Sequence, residues 1–282
     1  MSVGTDFQSC LAPAITAWLA PATRRNYMRI ARNLCLYRRR TSPDCFVPAP
    51  DSFPTPAPPR PPFIFSEDQI RSLLQAAGRL PATTLSPLQP AVYRLTVTLA
   101  YTAGLRRREL VRLTIGCFDP SQRTLRIEQS KFHKSRLIAL SDDAVREMDR
   151  YLAARRQFPH AAEAPLLANR QGGCQGYSGD GLADGFQRLC RASGIQDATG
   201  RAPRLHDLRH THALCALLRW YRDDIDPQAK LPILAAAMGH VSVVSTAYYL
   251  PFLEPLAQAA SRRFERHARF VLGGPQEGGD RG

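Results

Sequence analysis

The sequence predicts a mainly α-helical protein with one small antiparallel β-sheet, arranged as a basic helical arm and a larger domain joined by a proline-rich linker. Three observations carry this. Apolar residues recur at helical spacing, as in Ile70, Leu73, Leu74 and Ala77, or Val92, Leu95, Leu99 and Ala100. Two short segments, Thr124 to Gln129 (TLRIEQ) and Arg136 to Leu140 (RLIAL), alternate like hairpin strands across SKFHKS. Nine of the 23 prolines fall between Pro43 and Pro62, a density that blocks helix and sheet ladders and favours extended geometry.

Residues 1–42 read as the arm. Thr23 caps a helix with Tyr27, Ile30, Leu34 and Tyr37 on one face and Arg24, Arg25, Arg29, Arg32, Arg38, Arg39 and Arg40 around the rest. Residues 43–62 are the linker and residues 63–272 the second domain. In that domain Ser66 and Gln69 form a capping box, and a second helix opens near Pro90 and stops at Gly104. Leu105 to Leu113 restarts as helix. After the strands, Ser141 caps a helix to about Arg156, and Gln171 to Gly185 reads as a Gly-rich loop. Further helices are expected from Gly185 to Ala192, His206 to Arg222, Gln228 to Met238 and Leu253 to Leu272, followed by a disordered tail over residues 273–282.

Lys plus Arg number 38 against 24 Asp plus Glu, a formal charge of +14, which points to an anionic polymer or acidic surface as partner and away from a neutral small molecule. No apolar run approaches the ~20 residues of a membrane span. The seven cysteines are scattered without a C-x-x-C, so a disulfide framework has little support and they read as reduced cytosolic thiols. All but three of the basic residues are Arg, and two of the three lysines, Lys131 and Lys134, lie three residues apart. Lys can give up a proton in a tuned site where Arg cannot.

Four segments carry the functional reading: TAGLRRREL (Thr102 to Leu110), SKFHKSRLIAL (Ser130 to Leu140), HDLRHTHA (His206 to Ala213) and GHVSVVSTAYYL (Gly239 to Leu250). In that order and spacing, over roughly Phe63 to Leu272, the chain resembles the tyrosine recombinase (phage integrase) family. An extra stretch, LLRWYRDDIDPQAKLP, together with YYL, resembles the Tn554-type and recombinase-in-trio branch of transposon integrases. The resemblance implies the tyrosine recombinase catalytic fold with a small three-stranded sheet, preceded by a short helical DNA-binding arm, a partial core-binding domain. It also implies a site-specific recombinase or integrase of a mobile element that cleaves and rejoins DNA through a 3′-phosphotyrosine. Its partners would be double-stranded DNA and other protomers, as a homo- or hetero-tetramer with or without sister recombinases, the helix Leu253 to Leu272 docking on a neighbour.

By the same resemblance Arg106, Lys131, His206, Arg209, His240 and Tyr249 fill six active-site positions. The chemistry asks for such a set, because moving a phosphodiester onto a protein hydroxyl builds charge on the non-bridging oxygens and on the departing 5′ oxygen. Arg106 and Arg209 would offer forked donors to the phosphate, Lys131 would protonate the leaving oxygen, and Lys134 is its substitute. His206 would handle the tyrosine proton, and His240 would hydrogen-bond the phosphate. Tyr249, nine residues after His240 and three after Thr246, is chosen as nucleophile over Tyr248. Glu109 would hold an Arg, His210 would support the site, and Arg24, Arg25, Arg29, Arg32, Arg107 and Arg108 would contact DNA. No metal or other cofactor is required.

Other readings of the same residues stay open. Arg106 to Arg108 could be a solvated basic face, His206 and His210 at i, i+4 could bind zinc, and His240 could cap a helix. At the level of the whole protein the rivals are a catalytically silent DNA-binding accessory protein, a type IB topoisomerase, which shares the chemistry, and a transcription regulator. Three features depart from the family's usual pattern: the short arm, the extra stretch between Arg209 and His240, and Leu250-Pro251 after the tyrosine.

Overall fold

The structure is a computed structural model that describes residues 19–55, 60–84, 86–128, 135–158, 161–169, 175–240, 242, 244–247 and 249. It divides into two compact units, Met1–Pro61 and Pro62–Gly282.

The first unit is built on helix α1 (Pro21–Arg38). Its start is set by Pro21 behind Ala20, not by a Thr23 cap; proline's fixed φ suits a first helical turn, where a missing N–H leaves nothing unsatisfied. The proline-rich segment runs beside this helix. Nη1 of Arg25 donates to the Pro54 carbonyl (2.7 Å) and Nη1 of Arg32 to that of Pro48 (2.6 Å), with one 3₁₀ turn at Pro50–Ser52 between them. Tyr27, Ile30, Leu34 and Tyr37 lie on the opposite side of α1 and are exposed.

The second unit contains, among its described residues, α2 (Glu67–Gly78), α3 (Gln89–Thr102), α4 (Arg107–Leu110), β1 (Phe118–Asp119), β2 (Thr124–Ile127), β3 (Arg136–Ala139), α5 (Asp142–Arg155), α6 (Gly179–Ala192), α7 (Leu205–Arg222), α8 (Pro227–Met238) and α9 (Val244–Ala247). The capping box of α2 forms as expected, with Gln69 N donating to Ser66 Oγ (3.2 Å) and Ser66 N to Gln69 Oε1 (3.0 Å). Helix α3 is buried on nearly every side and packs against α2, α5 and α7, which makes it the axis of the unit. The strands form one antiparallel sheet in the order β1-β2-β3, with Leu125 opposite Ile138 and both facing the core.

Two further expectations need correcting. Leu105 to Leu113 is not one helix: only Arg107–Leu110 is α-helical, because Arg106 is extended and the chain leaves again at Val111. Gln171 to Gly185 is not all loop either, since α6 begins at Gly179 behind the Ser178 cap. The glycines of α6 answer to packing. A Cβ at Gly185 would lie 1.6 Å from Oη of Tyr93, so the α3 tyrosine rests directly on the α6 backbone, its hydroxyl donating to the Gly181 carbonyl (3.3 Å). The expected helix Leu253 to Leu272 and the tail 273–282 lie outside the described residues.

Two buried apolar clusters result among the described residues. The larger one spans α2 to α6 and the sheet, and reaches Leu205 and Leu208 of α7. The smaller joins Ala213, Leu214 and Leu217 of α7 to Leu231, Leu234 and Met238 of α8, and includes Tyr249. A tyrosine that the sequence marks for chemistry is thus also a core residue.

Candidate active site

The site is assembled by two helix ends and one helix start. Helix α3 stops before Gly104, whose φ of +61° is the left-handed turn that glycine adopts without a steric penalty. The Gly104 carbonyl accepts from Nη1 of Arg209. Behind it His212 donates from Nδ1 to the Tyr101 carbonyl (3.0 Å), and a Cβ at Gly104 would meet the His212 ring at 2.7 Å.

Helix α8 ends in the same way at Gly239 (φ +66°). The last carbonyls of a helix lack intrahelical partners and carry the negative end of its dipole. Here three consecutive ones each accept from a different arginine: Ala237 from Nε of Arg136 (2.8 Å), Met238 from Nη2 of Arg209 (2.6 Å) and Gly239 from Nη2 of Arg106 (2.6 Å). Three cations from α4's N-cap, β3 and α7 converge on one turn, and His240 is the next residue.

Glu109 balances two of them from the other side. Its buried carboxylate accepts from Arg106 at the backbone N and at Nη1 (2.9 Å each) and from Arg136 at Nη1 and Nη2 (2.9 and 3.0 Å). Burial pushes its pKa up, but the hydrogen bonds from Arg136 and Arg106 outweigh that and hold it below the usual carboxylate range. The same local device recurs at α7, where Asp207, fully buried, accepts from Arg204 N (2.7 Å) and Nη2 (3.0 Å) and so fixes the turn that carries His206 and Arg209.

Arg209 is fully buried. Burial, and then the charge of Arg106, pull its pKa below the usual guanidinium range. A guanidinium still stays protonated across the working pH range. Its Nε is buried with no hydrogen-bond partner among the described residues, and so is Nδ1 of His210.

Tyr249 sits between two histidines. The His240 ring stacks on it at 6.4 Å with planes 18° apart, and His210 meets it edge-on at 5.3 Å. His210 in turn meets His206 edge-on at 4.7 Å, so the three α7 and post-α9 rings form a row with His210 in the middle. His240 is held by Thr246, fully buried, with Nδ1 and Oγ1 2.8 Å apart. Burial first, then Arg209, Arg106 and Arg136, lower the His240 pKa to about 4. His206 is exposed at the mouth, yet crowding by protein on its inner edge and the nearby His210 and Arg209 lower its pKa as well. Both imidazoles are therefore neutral near pH 7.

Of the residues expected from sequence, Arg106, Glu109, His206, Arg209, His210, His240 and Tyr249 lie in this one cluster. Lys131, Lys134 and Tyr248 lie outside the described residues. Of the expected DNA contacts, Arg25 and Arg32 are engaged by proline carbonyls, Arg29 donates to Asn26 Oδ1 (3.2 Å), Arg107 pairs with Asp180 (2.8 Å), Arg24 is half-buried and Arg108 is exposed. Sequence reasoning missed Arg136. A signal existed: it shares the inward face of β3 with Ile138, and an inward arginine on a strand needs a buried partner. Among the described residues no group of three or more His, Cys, Asp or Glu could hold a metal ion, and no helix is long and apolar enough to cross a membrane.

Residues 64–253 match the profile of the Phage integrase family. A protein of Sinorhizobium fredii named as an integrase/recombinase, y4rB, is 35% identical over 248 residues, covering 87% of this chain and 78% of its own. Among solved structures, the XerH site-specific recombinase bound to palindromic difH substrate superposes with a TM-score of 0.63 at 18% identity, covering 93% of this chain and 72% of that one. The Tn1549 transposon integrase in complex with transposon right end DNA does so at 0.62 and 18%, covering 94% and 85%. These two share the fold of the present chain.

Proposed function

The chain belongs to the phage integrase family of tyrosine recombinases, enzymes that break and rejoin DNA strands, and on that premise we propose that it does so with the cluster described above. The observation that carries the assignment is the placement of Tyr249 between His240 and His210, His240 being the residue that follows the three-arginine end of α8.

In this reading the partner is duplex DNA, and the scissile phosphate lies against Arg106 and Arg209. The Arg209 Nε, which has no hydrogen-bond partner among the described residues, is a donor left for a non-bridging oxygen. Preorganised donors of this kind are worth ~3 kcal/mol each when charge develops in the transition state. The Tyr249 oxygen attacks phosphorus, the bond to the 5′ oxygen breaks, and a 3′-phosphotyrosine keeps the bond energy for rejoining. The tyrosine proton leaves toward the His206 and His210 pair, whose rings are neutral and so have a free lone pair, while burial makes both weaker bases than a free imidazole. Lys131 protonates the 5′ oxygen, and His240, held by Thr246, donates to the phosphate from its other ring nitrogen. Strand exchange between duplexes, four protomers and service to a mobile element complete the proposal, in keeping with the transposon integrase among the structural neighbours.

The test is a nicked duplex tiled from the DNA flanking the gene, on which a small fragment diffuses away after attack. A covalent protein-DNA band that vanishes in Tyr249→Phe and persists in Tyr248→Phe supports the assignment. A band that survives Tyr249→Phe moves the nucleophile to Tyr248.

A further inference from the structure

Arg136 stands apart from the residues that the reaction uses, yet it has the best-satisfied side chain in the cluster. Both of its terminal nitrogens bind Glu109 and its Nε binds the Ala237 carbonyl, three charge-assisted or dipole-assisted bonds within 3.0 Å. Its side chain is 11% exposed, half the figure for Arg106 (22%), so little of it is left to face a substrate.

What it touches is informative. Glu109 is the residue that grips Arg106 at both its backbone N and Nη1, and Ala237 lies three residues before His240 on the turn that Arg106 and Arg209 also hold. Without Arg136, the Glu109 carboxylate would keep, among the described residues, only Arg106 to answer its charge, and the Ala237 carbonyl would lose its donor. The nearest relaxation is for Glu109 to swing toward the vacated space, which carries Arg106 with it. Gly239 completes the fit: a Cβ there would lie 2.7 Å from Nη1 of Arg136 and 3.2 Å from Nη1 of Arg106, so the two guanidiniums occupy the volume that a side chain would need.

We infer that Arg136 is a positioning residue, which sets the place of Arg106 through Glu109 and the place of His240 through the end of α8, and touches no reacting atom. The inference rests on the recombinase reading above, in which Arg106 serves the phosphate. A displacement of about 1 Å at such a donor can slow the chemical step about 100-fold. Lysine cannot replace the arginine, because one ammonium cannot bridge two carboxylate oxygens and a carbonyl with the geometry of a planar fork.

The experiment compares wild type, Arg136→Lys and Arg136→Gln for duplex binding and for single-turnover adduct formation on nicked duplexes. Two duplexes are used, one with the natural scissile phosphate and one with a neutral methylphosphonate there. On the phosphate, both variants should bind DNA within about twofold of wild type and react about 100-fold more slowly. On the methylphosphonate, which has no non-bridging charge for Arg106 to meet, their deficit should shrink to under about tenfold. A protein that is only less well folded would be slow on both substrates. Equal deficits on the two, or variants as fast as wild type on the phosphate, overturn the inference and leave the reading of the active site standing. A wild-type protein that forms no Tyr249-dependent adduct on either duplex overturns both.

Discussion

Gly239 and Arg136 occupy adjoining volumes that cannot both grow: a Cβ on the glycine would stand 2.7 Å from Nη1 of the arginine. Gly239→Ala therefore carries two penalties, a left-handed φ of +66° and a collision with two guanidiniums. The backbone part alone is about 1–2 kcal/mol. A urea titration should show a loss of at least that size, and adduct formation should fall more steeply than stability accounts for. An alanine variant as stable and as fast as wild type would show that the turn is not tight.

Glu109 is a buried anion with two cationic partners among the described residues. Glu109→Gln leaves Arg136 and Arg106 facing one another across a neutral amide, and breaking a buried pair from one side typically costs about 3–5 kcal/mol. Its lowered pKa gives the sign of the pH effect. The stabilisation is fully present above the ordinary carboxylate range near 4.5 and is lost as pH falls through the lower folded value. Wild type minus Glu109→Gln, measured as stability against pH, should narrow only in strong acid.

Arg209 spans the Gly104 and Met238 carbonyls, which closes α3 onto α8. Lysine can reach one of them. Arg209→Lys should lose at least about 100-fold in adduct formation, the scale of a missing transition-state donor, while DNA affinity at fixed salt changes little. Affinity falling in step with rate would place Arg209 in ground-state binding instead.

His212 and His240 both have folded pKa values near 4, against about 6.5 in the unfolded chain, with burial as the first cause in each. Between those values the unfolded state holds about one more proton per ring, so stability is intact above pH 6.5 and drains away as pH drops toward 4. Thermal melts from pH 7 to pH 4.5 should show this slope, and His212→Asn should reduce it. An unchanged slope in that variant would place the effect elsewhere.

Tyr93 lies on the α6 backbone at Gly185. Gly185→Ala overfills that contact and should destabilise by about 1–3 kcal/mol, the usual range for overpacking. Adding Tyr93→Leu should return part of the loss. Additive losses in a double-mutant cycle would mean that the contact is not the cause.

Most of the helices and both ends of the hairpin were legible in the sequence, because the main core obeys simple periodicity: Ile70, Leu73 and Ala77, or Val92, Leu95 and Leu99, are buried where the stripe places them. Glycine misled the reading at α6. A run of glycines has the composition of a loop, and only the Tyr93 ring, 92 positions before Gly185 in the chain, explains a helix there. Leu105 to Leu113 misled for the opposite reason, since Arg106 is held in extended backbone as the N-cap by Glu109 and also bonds Gly239, 133 positions away, a contact that no local window contains. The site residues were legible as a motif in chain order. The arginine fork at Glu109 was not, because it pairs positions 27 apart in sequence through a strand whose alternation reads as ordinary sheet.

The carbonyls of Ala237, Met238 and Gly239 gather three guanidinium groups at one helix end. They let Arg136, Arg209 and Arg106 sit together before any phosphate is present, so their mutual repulsion is settled during folding and not at the moment of reaction. Because the three acceptors belong to one rigid turn, none of the arginines can move alone. Rate losses from substitutions at these positions should accordingly fail to multiply, and the second lesion should find a centre that the first has already undone.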